Sequence, residues 1–270
     1  MKLQITTLQP ILKEIKEVAG ALWDKGWAER NAGNLSVNVT SSIKPMDYIS
    51  DRKREALILP GTYPGLAGQS LLLTTTGSRM RNLARKPDKG LILIRIGEKG
   101  DVCYPIPFAN GGFAKAPTSE LPTHLAVHEY LKISGSKFNT LIHSHVTEFI
   151  VLGQYPETKE KKNIYKALPG MHPETVVFLP EGIGSIPFTL PGTKDIAEKT
   201  VSALKKHRAV IWEKHGGLAL GTSPADAFDN LDIAAKAASI YLKCLEAGFV
   251  PEGLSAEKME AIRKACEGMF

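Results

Sequence analysis

The chain of 270 residues has few cysteines and no long hydrophobic run. Its three cysteines, Cys103, Cys244 and Cys266, are an odd number without CxxC spacing, which argues against a disulfide framework and favours a reducing compartment. The longest uncharged apolar stretches, such as residues 91–94 and 209–212, are far shorter than the roughly 20 residues of a membrane-spanning helix. We therefore expect no membrane partner.

Signals for export and for nucleic-acid binding are also missing. Residues 1–7 have neither a continuous apolar core nor a small-residue cleavage site, so we expect a cytoplasmic protein. Thirty-four Lys and Arg against 28 Asp and Glu leave a formal charge of +6. This charge could attract an anionic substrate or could simply reflect a lysine-rich surface. The charged run at residues 159–162 contains both lysine and glutamate, and no basic stretch with interspersed aromatic residues accompanies it. Nucleic acid is therefore not an expected partner.

Apolar periodicity predicts helices interspersed with short strands. Apolar residues recur at three- and four-residue steps from Leu8 to Trp27, which indicates an amphipathic helix, and residues 35–39 alternate as a strand does. A polar loop is expected over residues 40–55. Further strands are predicted at 56–59, 71–74, 91–96, 140–145, 175–179, 209–212 and 217–222. Further helices are predicted up to Leu131 with Thr118 or Ser119 as N-cap, over 193–207, and from Ser223 to near Gly248.

These elements predict an α/β fold of α+β character. We expect residues 1–270 to form a single domain, because no long linker, repeat or low-complexity tract divides the chain. The strands are short and do not follow a regular βαβ rhythm. The expected architecture is a central mixed, mainly antiparallel β-sheet flanked by helices.

The strongest local signal for chemistry is the pair His143 and His145 at the end of an apolar strand. Residues two apart on a strand point to the same face, so both imidazoles could reach one metal ion, although such pairs also occur by chance. His215 follows the apolar run 209–212 and precedes two glycines. It is either a third ligand, which would complete a catalytic type of zinc site, or an ordinary turn histidine.

A second pair, His124 and His128, has the i, i+4 spacing of helical metal ligands. The intervening residues are Leu125, Ala126 and Val127, so the glutamate of a metalloprotease HExxH motif is absent. We interpret this pair as structural or as a support for a neighbouring site.

Three polar turns could bind a phosphate. Residues 31–34 and 75–78 offer backbone N–H groups and small hydroxyls, and Thr118 and Ser119 precede Glu120 at a helix N-terminus. Ordinary turns and helix caps use the same residue types. If an anion binds there, the carboxylate of Glu120 is a candidate base beside it.

Taken in order, residues 26–35, 76–78, 117–121, 143–145 and 215–216 resemble the class II aldolase and adducin family. The resemblance covers nearly the whole chain, including the insert between Asn34 and Thr76 and the segment 180–184. Within the family, the chain looks most like the rhamnulose-1-phosphate aldolases. Two departures are Ala32, where relatives often have Gly, and Thr75–Thr76, which replaces a Gly-Ser pair.

The resemblance implies a class II aldolase/adducin-like fold and a zinc-dependent cleavage of a ketose 1-phosphate, L-rhamnulose 1-phosphate, to dihydroxyacetone phosphate and L-lactaldehyde. It implies one Zn²⁺ per subunit, a homotetramer with the active site at the subunit interface, and Glu120 as the acid/base. Glu174 matches an acidic residue that reaches the site from a neighbouring subunit. The implied zinc ligands are His143, His145 and His215. The implied phosphate-binding residues are Asn31, Thr76, Gly77, Thr118 and Ser119, and Gly33 and Asn34 match residues at the dihydroxyacetone end.

Two other functions are compatible with the same residues. A relative could use this metal site to epimerise a pentulose phosphate or to dehydrate a thioether sugar phosphate. The fold could also serve as a non-catalytic, adducin-like interaction module. The presence of all three histidines together with Glu120 favours an enzyme, and no lysine lies in a setting that favours a Schiff base.

Overall fold

Nine strands form one sheet in the computed structural model, which describes residues 5–43, 55–106, 116–157 and 159–269. The strand order is β2-β5-β4-β3-β1-β6-β9-β8-β7, and every pairing is antiparallel except that of β7 with β8. This confirms the predicted mixed, mainly antiparallel sheet. The strands are β1 (Asn34–Asn38), β2 (Leu57–Ile58), β3 (Ser70–Thr74), β4 (Leu91–Ile96), β5 (Val102–Ile106), β6 (Thr140–Ser144), β7 (Gly184–Ile186), β8 (Ala209–Trp212) and β9 (Gly216–Gly221).

Nine α-helices flank this sheet within the described ranges. They are α1 (Gln9–Asp24), α2 (Met80–Leu83), α3 (Leu121–Ile133), α4 (Thr147–Leu152), α5 (Lys159–Ala167), α6 (Pro173–Phe178), α7 (Lys194–Leu204), α8 (Pro224–Glu246) and α9 (Ala256–Cys266). The start of α8 is fixed by Ser223, whose hydroxyl accepts a hydrogen bond from the Asp226 N–H. Over the described part of the chain, no helix is both long and apolar enough to cross a membrane.

The core lies on both faces of the central strands. Successive residues of β6 alternate between the two faces, because side chains on a strand have a period of two. Ile142 packs in the cluster that contains residues of α1 and α8, whereas Leu141 packs in the cluster that contains residues of α3 and α7. His143 is therefore directed to the α3 face, where Trp212 is also buried.

The predicted strand over residues 175–179 is wrong, because this segment belongs to α6. Pro173 occupies the first turn and Glu174 lies near the positive end of the helix dipole, and both favour a helix start. A short β-branched run does not distinguish a strand from a buried helical turn, and Thr175 and Val176 are buried in helical geometry.

The predicted N-cap of α3 is also wrong. Glu120 occupies the N-cap position, without a capping hydrogen bond from its side chain. Thr118 instead accepts a hydrogen bond at Oγ1 from the Glu120 N–H. Of the predicted polar loop, residues 40–42 form a 3-10 turn, and residues 44–54 lie outside the described residues.

Candidate active site

Three histidines converge at one end of the central strands. His143 is in β6, His145 follows it, and His215 lies in the tight turn between β8 and β9. One ligand nitrogen from each ring lies within 4.8 Å of those of the other two. The ring centroids of His143 and His215 are 4.7 Å apart, and those of His145 and His215 are 5.1 Å apart. The structure thus brings together the three histidines that the sequence suggested.

The ring of His143 is held with one nitrogen directed into the cluster. Nδ1 lies 2.9 Å from the carbonyl oxygen of Gly217 and donates to it, because a carbonyl can only accept. In the neutral ring, Nε2 is then an unprotonated acceptor, and it has no hydrogen-bond partner among the described residues. Burial, reinforced by the nearby His145, lowers the pKa of His143 to about 3. The ring is therefore neutral near pH 7, as a metal ligand must be.

The turn that carries His215 has an unusual backbone. Lys214 adopts a positive φ of 61° and Gly216 one of 147°. A Cβ at Gly216 would lie 2.2 Å from the carbonyl oxygen of Ser144, so only glycine permits this close approach of β9 to β6. Burial, followed by the nearby His143, lowers the pKa of His215 to about 4.

The position of His145 depends on the segment that follows α1. Its backbone N–H donates to the carbonyl oxygen of Trp27 at 2.9 Å. Its Nδ1 lies 2.6 Å from Oε1 of Glu29, so this carboxylate accepts the ring N–H and leaves Nε2 for a ligand. Glu29 was not among the predicted residues, and no local pattern in the sequence signals a contact across 116 positions.

Glu120 lies beside two of the three rings. Its Oε1 is 3.6 Å from Nε2 of His215, and its Oε2 is 3.8 Å from Nε2 of His143. The side-chain amide of Asn34 donates to Oε2 at 3.1 Å. Burial raises the pKa of Glu120, and the nearby His215 and the Asn34 hydrogen bond partly oppose this shift. A carboxyl group with a raised pKa in a cleft is a candidate proton donor and acceptor.

A cleft of about 320 Å³ extends from His143, His145 and Glu120 to the polar turns. It is lined by all seven predicted substrate-binding residues, namely Asn31, Gly33, Asn34, Thr76, Gly77, Thr118 and Ser119. Backbone bonds from Thr76 N–H to Ala116 O and from Thr118 N–H to Thr74 O hold two of the turns together. Arg30 also lines the cleft and was missed, because nothing in the sequence marks its left-handed φ of 49°.

Comparison with known proteins agrees with this geometry. The family model described as the class II aldolase and adducin N-terminal domain matches residues 13–242. The chain belongs to the class II aldolase and adducin family. Its three-histidine group is compatible with a divalent metal, since three imidazoles and an open position form a common catalytic metal site.

Several relatives within this family are similar over nearly their whole length. A rhamnulose-1-phosphate aldolase from Bacteroides thetaiotaomicron is 38% identical over 258 residues, which cover 94% of this chain and 93% of that protein. One from Yersinia pseudotuberculosis is 32% identical over 89% of this chain and 88% of its own length. The structure of a sugar-phosphate aldolase from Thermotoga maritima superposes with a TM-score of 0.75 at 30% identity, over 91% of this chain and 99% of that one. These relatives support an aldehyde-lyase activity of the class II aldolase type.

Glu174 lies apart from the cleft of this class II aldolase. It is exposed in the first turn of α6, where Nδ1 of His172 lies 2.8 Å from its Oε2. It lines a separate surface groove with Asp232 and Lys236. Within one chain, the structure does not bring Glu174 to the three histidines.

The second histidine pair is also separate from the three-histidine group. His124 and His128 are buried in α3 and bond to the hydroxyl of Ser36 instead of converging on the three-histidine group. Burial lowers the pKa of His128 to about 4 and that of His124 well below its usual value, so both rings are neutral near pH 7.

Proposed function

We propose that this class II aldolase is zinc-dependent and reversibly cleaves L-rhamnulose 1-phosphate to dihydroxyacetone phosphate and L-lactaldehyde. The observation that carries the proposal is the approach of three histidine nitrogens to within 4.8 Å of one another, with the Glu120 carboxylate 3.6 and 3.8 Å from two of the rings. The choice of sugar rests on the relatives named rhamnulose-1-phosphate aldolase.

We assign the metal site to His143, His145 and His215, with one zinc ion per subunit. Second partners fix two of these rings, since Gly217 O accepts from His143 and Glu29 accepts from His145. Three neutral ligands leave the ion with its full charge. A bound Zn²⁺ supplies Lewis-acid stabilisation of the negative charge that develops on the substrate oxygens when the carbon–carbon bond breaks.

Glu120 moves the proton in this proposal. The C4 hydroxyl loses its proton to solvent and becomes the aldehyde carbonyl as the C3–C4 bond breaks. The bonding electrons leave on C3 as an enediolate, which becomes dihydroxyacetone phosphate when C3 takes up a proton. Glu120 donates that proton in the cleavage direction and removes it in the synthetic direction. Because Oε2 already accepts from Asn34, Oε1 is the oxygen that carries the proton. Burial raises the Glu120 pKa, which makes the protonated form accessible.

The far end of the cleft binds the phosphate. Asn31, Thr76, Gly77, Thr118 and Ser119 supply amide and hydroxyl donors there. Gly33 and Asn34 line the same cleft, and Asn34 pairs with His143 across β1 and β6, so we assign the dihydroxyacetone part of the substrate to them. Binding a remote phosphate positions the reacting carbons, and this increases the rate without any contact to the atoms that react.

We also propose a cytoplasmic homotetramer in which Glu174 of one subunit contributes to the aldehyde end of a neighbour's cleft. The support is the resemblance of the residues around Glu174 to the family, together with its exposed position on α6. Cyclic symmetry would give every subunit the same interface. Sedimentation of the protein as a monomer at assay concentration would contradict this arrangement.

The test is release of dihydroxyacetone phosphate from L-rhamnulose 1-phosphate, compared with release from L-fuculose 1-phosphate. Each substrate is assayed with the protein as purified, after chelation, and after zinc is restored. We expect preferred cleavage of the rhamnulose phosphate, its loss on chelation and its recovery with zinc. His215→Ala should bind less zinc, whereas His172→Ala, outside the cluster, should bind the normal amount. Failure of zinc-loaded protein to cleave either sugar would contradict the proposal and direct attention to epimerisation or dehydration.

A further inference from the structure

A chain of buried hydrogen bonds leads from Glu120 through β1 to the middle of α3. Glu120 Oε2 is 3.1 Å from the amide nitrogen of Asn34, whose Oδ1 is 2.6 Å from Nε2 of His124. Nδ1 of His124 is 2.6 Å from Oγ of Ser36, and this hydroxyl is 2.7 Å from Nε2 of His128. All five side chains are buried, and none belongs to the three-histidine group.

The chemistry of the groups fixes the direction of every bond. A carboxylate only accepts, so the Asn34 amide N–H donates to Glu120 and its carbonyl oxygen must accept from His124. His124 is neutral and protonated on Nε2, and its Nδ1 therefore accepts the hydroxyl proton of Ser36. The Ser36 oxygen in turn accepts from Nε2 of His128. Each donor points along the chain toward Glu120.

We infer that Ser36, His124 and His128 are positioning residues, which act through Asn34 to hold the Glu120 carboxylate in its reactive orientation. This inference rests on the proposed function, in which Glu120 transfers the proton. A chain of aligned donors polarises its members, so each bond strengthens the next. The last donor fixes Oε2 and leaves Oε1 to meet the substrate.

Proton conduction along this chain is a less suitable explanation. An amide side chain passes a proton only by changing to a high-energy tautomer, and Asn34 stands between Glu120 and the histidines. The chain therefore orients the carboxylate and does not supply its proton. Substrate and solvent reach Glu120 from the cleft that it lines.

The matched pair for a test is Ser36→Ala and Thr200→Val. Each removes one buried hydroxyl, but Thr200 donates to Ile196 O in α7, away from the cleft. The specific measurement is exchange of deuterium from D₂O into the reacting carbon of dihydroxyacetone phosphate, followed by proton NMR with zinc-loaded enzyme. This partial reaction reports the Glu120 proton transfer without the aldehyde. We expect Ser36→Ala to slow exchange by about tenfold or more, a part of the usual contribution of a general base, with similar zinc content and KM.

Two further comparisons separate positioning from a general loss of structure. In a Glu120→Gln background, Ser36→Ala should have no additional effect on exchange, because the residue that it positions is gone. His128→Leu should slow exchange, whereas His128→Gln keeps a donor near the position of Nε2 and should restore most of it. These variants also serve if Ser36→Ala does not fold.

The outcomes distinguish failure of the positioning inference from failure of the proposed function. If wild-type zinc enzyme exchanges deuterium and Ser36→Ala and His128→Leu exchange as fast as Thr200→Val, the positioning inference is wrong and the proposed function stands. If Thr200→Val loses as much kcat as Ser36→Ala, the positioning inference is also wrong, because the loss of any buried hydroxyl then has the same effect through stability. If the wild-type enzyme neither exchanges deuterium nor cleaves the sugar phosphate, the proposed function itself fails.

Discussion

Nζ of Lys161 lies 2.7 Å from Oε2 of Glu213, and both side chains are almost completely buried. Tyr165 donates its hydroxyl to the other oxygen of this carboxylate at 3.1 Å. Glu213 is two residues from His215, in the turn between β8 and β9. A salt bridge and a hydrogen bond from α5 therefore hold the turn that carries a proposed zinc ligand.

Replacement of Lys161 should destabilise the protein strongly. Lys161→Met leaves the Glu213 carboxylate buried without its cation, and removing one partner of a buried pair typically costs about 3 to 5 kcal/mol of unfolding free energy. Urea denaturation measures this loss. Adding Glu213→Gln should recover a large part of it, because no buried unpaired charge then remains; Glu157, the other carboxylate paired with Lys161, is exposed to solvent. As a control, Lys194→Met breaks an exposed pair with Glu198 and should change stability by about 0.5 kcal/mol or less.

A methyl group at Gly216 should disrupt the turn between β8 and β9. Its Cβ would lie 2.2 Å from Ser144 O, and the φ of 147° disfavours any side chain. We expect Gly216→Ala to lower the unfolding free energy by more than about 1 kcal/mol and to lower zinc content, measured by metal analysis after dialysis. Gly20→Ala is the matched control, since its Cβ finds only Ala84 at 3.8 Å in a helix. That variant should be stabilised by about 0.5 to 1 kcal/mol, and a similar loss in both variants would contradict the steric argument.

The stability of the metal-free protein should fall with decreasing pH, in part because of His128. Burial lowers its folded-state pKa to about 4 from the usual 6.5 of a histidine. Between pH 6.5 and about pH 4, His128 binds a proton in the unfolded chain but not in the folded protein. Its contribution to stability is therefore fully present above pH 6.5 and is lost as pH falls. His128→Gln should flatten this dependence between pH 6.5 and 5 by up to about 1.4 kcal/mol per pH unit. Parallel urea-midpoint curves for the two proteins would show that His128 does not contribute.

Glu120→Gln should separate metal binding from turnover. The amide is nearly isosteric with the carboxylate but cannot take up the substrate proton. We expect zinc content close to that of wild type and a kcat lower by about a hundred- to ten-thousandfold, the usual range for loss of a general acid or base. Glu260→Gln, which alters an exposed ion pair in α9, is the control. Unchanged turnover in Glu120→Gln would remove this residue from its proposed role.

Much of the fold follows from local patterns in the sequence. The three- and four-residue periodicity of α1 reflects its one buried face. The alternation in β1 separates Leu35 and Val37, which lie in the apolar core, from the buried polar Ser36 on the other face, and such patterns need no knowledge of the partner. The segments that were missed or misassigned are short or exposed. The helix α9 has no buried residue among those described, and its sequence therefore has no strong apolar periodicity. The helix α6 is too short for its period to be read.

Part of the candidate site could be predicted from the sequence for the same reason. His143 and His145 are neighbours in the chain, so strand geometry alone predicts that they share a face. The contacts of Ser36 with His124 and His128 span 88 and 92 positions, and they depend on where α3 packs against the sheet. A spacing rule recognised the helical pair but could not assign its partner. Resemblance to a family supplied the site residues, whereas their supporting bonds required the three-dimensional structure.

The two ends of the cleft are built from different segments of the chain. The proposed phosphate end comes from the turns around Asn31, Gly77 and Ser119, and the opposite end contains His143 and His145, which lie beside His215. The strand pairing of β6 with β9 includes no residue of these turns. Tolerance for unphosphorylated or differently charged donors can therefore evolve, or be engineered, through the turns around Asn31 and Gly77 without rebuilding the three-histidine group.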